Sequence, residues 1–158
     1  MYKVAVITVS DRCHEGICDD LSGPVVCEIL EKAGYIIAYV SLIPDEKDII
    51  EHELIKCVDE LEIALVITTG GTGFSQRDVT PEATLSVCTK MTPGIPEAMR
   101  AESIKITGNA ILSRQQAGIR GESLIINLPG SPKAVAENLN VVLPALAHGL
   151  EILHGASE

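Results

Sequence analysis

T-T-G-G-T-G-F-S-Q-R-D-V-T-P-E-A-T, residues 68–84, follows the apolar run Ile63-Ala64-Leu65-Val66-Ile67, and the fold is decided at this junction. A short apolar, β-branched run bounded by glycines reads as a buried strand. Thr80-Pro81 then reads as the N-cap and first residue of a helix. Strand, glycine turn and helix in that order form one step of an open α/β sheet, and such sheets bind ligands at the carboxyl ends of their strands. Gly70, Gly71 and Gly73 let a phosphate approach the backbone with no Cβ in the way, Thr72 adds a hydroxyl, and the helix from Pro81 offers free N–H donors. The segment is predicted to hold an anion.

It is neither of the two common phosphate loops. The G-x-x-x-x-G-K-[ST] pattern needs a Lys that is absent here, and the glycines lack the G-x-G-x-x-G spacing of a dinucleotide fold. Positive charge must come from elsewhere. Asp78 points to its source, because a carboxylate beside a phosphate is repulsive unless a divalent cation bridges them, and Mg2+ is commonly held by one or two carboxylates plus ligand phosphates. The alternative is that Asp78 is an extra cap near the helix start.

Working outward, the chain of 158 residues fits one domain spanning 1–158. Its composition is 46% hydrophobic but only 3% aromatic with no Trp, so the core is aliphatic, as in Val/Ile-rich strands covered by helices. A formal charge of -10 argues against nucleic acid, whose binding rests on clustered Lys and Arg. The five cysteines form no C-x-x-C pair, which removes the usual zinc and redox motifs; Cys27 and Cys57 fall at core positions of helical patterns. No apolar stretch reaches membrane-spanning length and no leader is legible, so the cytoplasm is the expected location.

Four strand-and-helix units are predicted. Residues 3–9 form a strand, 10–21 a polar loop, and Ser22-Gly23-Pro24 opens a helix that Gly34 stops. Residues 36–43 form a second strand, after which Pro44-Asp45 starts a long helix. The strand at 63–69 leads into the glycine segment. A helix is expected over 96–106, a hairpin or short connector over 113–121, and a buried strand over 124–128. Pro129-Gly130-Ser131-Pro132 then caps a helical region over 134–153, predicted to split at Pro144. The class is α/β, with three layers around a mainly parallel sheet. Strand-end turns at Ser22, Thr80 and Ser131 place three helix starts on one edge, where they are expected to converge on an anionic ligand.

These residues are similar to a known family. Thr8-Val9-Ser10-Asp11-Arg12, Asp20 with Ser22-Gly23-Pro24, Ile43-Pro44-Asp45-Glu46, residues 68–84, Pro93-Gly94-Ile95-Pro96-Glu97, Leu112-Ser113-Arg114 with Ala117-Gly118, and Leu128-Pro129-Gly130-Ser131-Pro132-Lys133 together resemble the molybdopterin adenylyltransferases of molybdenum cofactor biosynthesis, including the plant and gephyrin G domains. The resemblance implies a homotrimer that transfers AMP from ATP to the phosphate of molybdopterin and releases pyrophosphate. It implies catalysis and Mg2+ binding by Asp45 and Asp78, nucleotide binding by Ser10, Gly70, Gly71, Thr72 and Gly73, and molybdopterin binding by Ser22, Gly23, Ser113, Gly130, Ser131 and Lys133. It also implies hand-off to a molybdenum-insertion enzyme. One position departs from the pattern: Leu21 stands where many relatives carry Arg.

The chemistry agrees with the residues. Phosphoryl-type transfer asks the protein for positioning and charge neutralisation rather than covalent work. No nucleophilic side chain is needed, since the molybdopterin phosphate is itself the attacker. His14, His52, His148 and His154 read as surface or cap residues. Two rivals stand beside the enzyme: a regulatory or non-catalytic relative, and a carrier that binds molybdopterin without modifying it. A flavodoxin-like electron carrier is disfavoured by the scarcity of aromatic faces.

Overall fold

The computed structural model describes residues 1–155. Six strands form one sheet in the order β2-β1-β3-β6-β5-β4. β1 (Lys3–Val9), β2 (Ile36–Ile43), β3 (Leu65–Thr69) and β6 (Ser123–Leu128) run parallel. β5 (Ala117–Arg120) and the two-residue β4 (Lys90–Met91) complete the far edge antiparallel to their neighbours. Of the hairpin or short connector expected at 113–121, the hairpin is what forms, and β4 is a strand too short to leave a periodic signal.

Side chains alternate across the buried strands and divide the core in two. Val4, Val6, Leu65, Ile67 and Ile126 point to one face, where α2 (Ser22–Lys32), α5 (Gly94–Ile104) and α6 (Pro132–Leu153) cover them. Ala5, Ile7, Val9, Val66 and Ile125 point to the other, under α3 (Lys47–Ile55) and α4 (Thr80–Val87). The expected three layers are present. Cys57 lies fully buried in the second cluster and Cys27 packs against the first, as small core residues do. All four histidines are exposed. Among the described residues no helix is long and apolar enough to cross a membrane.

Several local expectations are corrected. Residues 11–14 are a short helix, α1 (Asp11–His14), inside the predicted loop. α3 begins at Lys47 and ends in a π-helical turn over Lys56–Glu60, and Asp45 is not its cap, because its carboxylate faces Asp11 instead. α6 runs unbroken through Pro144. That proline sits on the exposed side, while Leu139, Val142, Leu146 and Leu150 keep one buried stripe in register across it, so packing carries the helix past one lost backbone bond.

The sheet reverses direction between its central strands. β1 leads to β2 on one side, whereas the chain returns through α3 to β3 on the other, and the crevice opens at that switch point. Four parallel strand ends deliver Ser10, Asp45, Gly70 and Gly130 to its rim.

Candidate active site

At the switch point the glycine segment crosses over the end of β1. Gly70 has φ +97 and a Cβ there would collide with the carbonyl of Val9. Gly71, at φ +67, packs so closely on the Thr80 hydroxyl and the Asp45 carboxylate that no side chain fits. Only glycine reconciles these left-handed dihedrals with such close approach.

Two cavities open along this edge. The first, about 470 Å³, is bounded by Ser10, Asp20, Ser22, Asp45 and Gly70, with Cys13, Cys18, Asp19 and Leu21 at its outer wall. The second, about 480 Å³, is bounded by Thr72, Gly73, Arg100, Ser113, Gln115 and Asn138. Gly71, Asp78 and Gly130 line both, so the cavities are two lobes meeting at a seam.

The first lobe is acidic. Asp19, Asp20, Asp45 and Asp78 line it, and among the described residues no Lys or Arg does. Asp45 and Asp11 clasp each other: the Asp11 N–H donates to Asp45 Oδ2 at 2.8 Å and the Asp45 N–H to Asp11 Oδ1 at 2.9 Å. Arg77 holds Asp11 from outside through Nε at 2.9 Å, and that bond keeps the Asp11 carboxyl below its ordinary range. Asp45 Oδ1 is buried without a partner. Burial pushes its carboxyl up, against the Asp11 N–H, and the charges of Asp11 and Asp78 push it further. A half-buried carboxylate with an unpartnered oxygen beside a second carboxylate calls for a cation.

The oxygen set suits Mg2+. Among the described residues no three His, Cys, Asp or Glu side chains cluster as a metal cage, so Asp45 and Asp78 would hold an ion together with ligand phosphates and water, as Mg2+ usually is. Asp78 Oδ2 accepts the Ser75 N–H at 3.1 Å, which makes it the anchor of its own loop turn rather than a cap on α4. Thr80 caps nothing either: its hydroxyl is buried without a partner, facing Gly71.

The helix starts do gather here, but in part their donors are already spent. Asp20 Oδ1 accepts the N–H groups of Ser22 and Gly23, at 3.1 and 2.9 Å, and its Oδ2 accepts the Thr8 hydroxyl at 2.6 Å. Asp20, not Ser22, therefore caps α2. The Ser22 hydroxyl donates to the Gly130 carbonyl at 2.6 Å, and the Thr69 hydroxyl to that of Pro129 at 2.6 Å, so Ser22 ties two turns together. Ser131 is the expected cap of α6, accepting the Ala134 N–H at 3.2 Å. Gly130 and Pro132 line the acidic lobe, whereas Ser131 and Lys133 line neither lobe.

The second lobe is close to neutral, because Arg100 offsets part of the charge of Asp78 and Glu137, and it is polar at its base. Asn138 donates to the Ala134 carbonyl at 2.7 Å and to Ser103 Oγ at 3.1 Å, leaving its Oδ1 to accept Gln115 Nε2 at 3.0 Å. Arg100 donates to the carbonyls of Ser113 and Gln115 at 3.3 and 3.0 Å. Ser113 Oγ and Gln115 Oε1 remain without partners. The assigned groups therefore do not divide by lobe: Ser10 sits with Ser22, and Thr72 and Gly73 sit with Ser113.

Arg114 organises the seam and escaped the sequence reading. Its N–H donates to the Thr72 carbonyl at 2.9 Å, Nε to that of Gly73 at 2.7 Å and Nη2 to that of Asp78 at 2.8 Å, and Nη1 pairs with Glu82. It takes three loop carbonyls, while the N–H of Gly70 bonds the Leu128 carbonyl and those of Gly71, Thr72 and Gly73 remain for a ligand. The only available signal was its place in the Leu112-Ser113-Arg114 motif.

The chain matches the family model described as "Probable molybdopterin binding domain" over residues 5–148. It is 49% identical over 156 residues to the molybdopterin adenylyltransferase of Helicobacter pylori strain 26695, covering 96% of this chain and 88% of that protein. It is 44% identical over 163 residues to the gephyrin of Dictyostelium discoideum, covering 96% of this chain and 22% of that longer protein. Its fold superposes on the crystal structure of the molybdopterin biosynthesis enzyme MoaB from Thermus thermophilus with a TM-score of 0.93, 41% identity and 98% of each chain covered. A family match over residues 5–148, close relatives across its length and the same fold agree: the chain belongs to the molybdopterin-binding domain family that contains the molybdopterin adenylyltransferases.

Proposed function

We propose that the protein is a molybdopterin adenylyltransferase, moving AMP from ATP onto the terminal phosphate of molybdopterin and releasing pyrophosphate. The observation that carries this reading is the seam: two lobes of similar size share Gly71, Asp78 and Gly130. Two ligands, one in each lobe, would bring their phosphates together where bare backbone and a carboxylate meet. Holding both reactants in line supplies much of the acceleration in such a transfer.

The residues divide the work. Gly71, Thr72 and Gly73 present amides to phosphate oxygens, with Arg114 holding the carbonyls of Thr72 and Gly73, while Gly70, its own N–H bonded to the Leu128 carbonyl, lets the nucleotide approach the backbone. Ser10 caps α1 by accepting the Cys13 N–H at 3.2 Å, which fixes Asp11 and, through it, Asp45. When bound between Asp45 and Asp78, Mg2+ would offset the charge on the departing pyrophosphate. Ser113, with Gln115 behind it, is assigned to the pterin ring in the neutral lobe, while Ser22, Gly23, Ser131 and Lys133 shape the turn that Gly130 exposes. In Ser113→Ala the Kd for molybdopterin should rise several-fold with ATP affinity unchanged; the opposite split would exchange the two lobes. The same reading has a cytoplasmic homotrimer, checked by light scattering, that passes its product to a molybdenum-insertion enzyme.

The decisive experiment measures pyrophosphate release from ATP, Mg2+ and molybdopterin. Release that requires all three supports the transferase. Tight molybdopterin binding with no release in any metal would make the protein a carrier.

A further inference from the structure

Cys13 and Cys18 lie in the wall of the acidic lobe, and nothing in adenylyl transfer uses them. Their sulfurs are 2.9 Å apart. The segment between them is already folded back on itself: the Gly16 N–H donates to the Cys13 carbonyl at 3.1 Å, the Ile17 N–H to the Arg12 carbonyl at 2.9 Å, and Gly16 makes the turn at φ +77. Since a disulfide is ~2.05 Å long, less than an ångström of closure separates this pair from a bond.

The other three thiols are set apart by burial. Cys57 is fully buried, and desolvation pushes its thiol up to about 12. Desolvation likewise raises Cys88 to about 11 and Cys27 above its usual value. The contact with Cys13 raises the Cys18 thiol as well, so access rather than acidity selects this pair: Cys18 is exposed and Cys13 half-buried, and an oxidant meets them first.

We propose that Cys13 and Cys18 form a reversible intramolecular disulfide that controls entry to the acidic lobe. This concerns regulation of the site assigned above and so rests on that functional reading. The oxidant is a low-molecular-weight disulfide. One cysteine thiolate attacks it, expelling one small thiol and forming a mixed disulfide; the second cysteine thiolate displaces the other small thiol and closes the bridge. Two protons and two electrons leave the pair, and the oxidant departs as two thiols. The bridge fixes Cys13, whose N–H donates to the Ser10 cap of α1 two residues beyond the Asp11–Asp45 clasp, and stiffens the wall past which a ligand must move.

The test treats the full chain with oxidised glutathione and maps peptides without reduction. The expected product is a 13–18 bridge that lacks two hydrogens, reverts with dithiothreitol and leaves Cys27, Cys57 and Cys88 free. Stable glutathione adducts without a bridge, or cross-linked dimers, overturn the proposal. Calorimetry with Mg-ATP then compares reduced and bridged protein. A Kd at least threefold weaker in the bridged form, with no redox effect in Cys18→Ser, supports control of entry; unchanged affinity after complete bridging overturns it. If neither form binds nucleotide, the functional reading fails, and the peptide map still decides whether the bridge forms.

Discussion

The two lobes solve opposite problems with the same strand edge. The neutral lobe is largely self-supporting: Asn138, Gln115 and Ser103 hydrogen-bond one another and Arg100 bonds the backbone around it, leaving Ser113 Oγ and Gln115 Oε1 open, so it arrives preformed for a ligand recognised by shape and a few polar atoms. The acidic lobe does not. It concentrates four aspartates and, among the described residues, no Lys or Arg, and burial raises the cost of ionising Asp45. One lobe is therefore stable when empty, while the other is incomplete until positive charge and a ligand arrive together. Affinity for the ligand of the acidic lobe should depend steeply on a divalent cation, and affinity for the other should not.

The seam is where that contrast can be broken most severely. Gly71→Val places a β-branched side chain at a left-handed position against Thr80 and Asp45, a strain of order 1–3 kcal/mol. It should abolish transfer and weaken both ligands, read as two separate Kd values. Normal binding of either one would mean that the lobes do not share this residue.

Asp78→Ala comes next. A loop carboxylate contributes little to the core, so the thermal midpoint should barely move, while transfer should fall on the order of 10²-fold or more through lost charge stabilisation. Wild-type turnover at saturating Mg2+ would remove the metal assignment.

Asp45→Asn sharpens the comparison by separating stability from activity. A carboxyl with a raised folded-state pKa binds protons more readily folded than unfolded. Its contribution to stability therefore falls as pH rises from about 3.8, the ordinary value, through the raised one. At neutral pH the charge is a net cost in the ligand-free protein. The amide should raise the thermal midpoint there while lowering transfer, and the stability gap should close as pH falls toward 3.8. A lower midpoint at neutral pH would show that the Asp11 clasp outweighs desolvation.

The smallest effect belongs to Ser131→Ala. It loses a helix cap worth about 1 kcal/mol and should leave both affinities within twofold. A selective loss of molybdopterin affinity would instead place Ser131 in direct contact with that ligand.

Much of this was legible from residue order. The apolar runs located four parallel strands to within about two residues, because strands buried on both faces read as continuous Val/Ile stretches, and the recurring strand-end turns located the ligand edge. What escaped were contacts made at long range. Thr80, Asp45 and Ser22 all resemble caps in local sequence, yet one hydroxyl faces a glycine, one carboxylate grips Asp11 and the other hydroxyl ties down Gly130. Local chemistry names a cap, and only the fold says which backbone lies nearest. Arg114 was missed for the same reason, since its partners lie between 32 and 42 residues upstream.

That separation orders the protein's own construction. The glycine loop leaves the ribosome early, but the guanidinium that restrains it follows only after α4 and α5 have been made. Contacts so distant in sequence form late, after the entropy of closing the intervening chain has been met. The nucleotide loop is therefore expected to remain pliable through most of folding and to set only when the β5–β6 hairpin docks. Pulsed hydrogen exchange during refolding would detect this as protection of the amides of Gly70 and Thr80, which bond the carbonyls of Leu128 and Gly71, appearing together with that of Ile119 and Leu124, and earlier protection of the loop would contradict it. A nascent or truncated chain lacking the last third would carry every glycine of the 70–73 loop and still have no site.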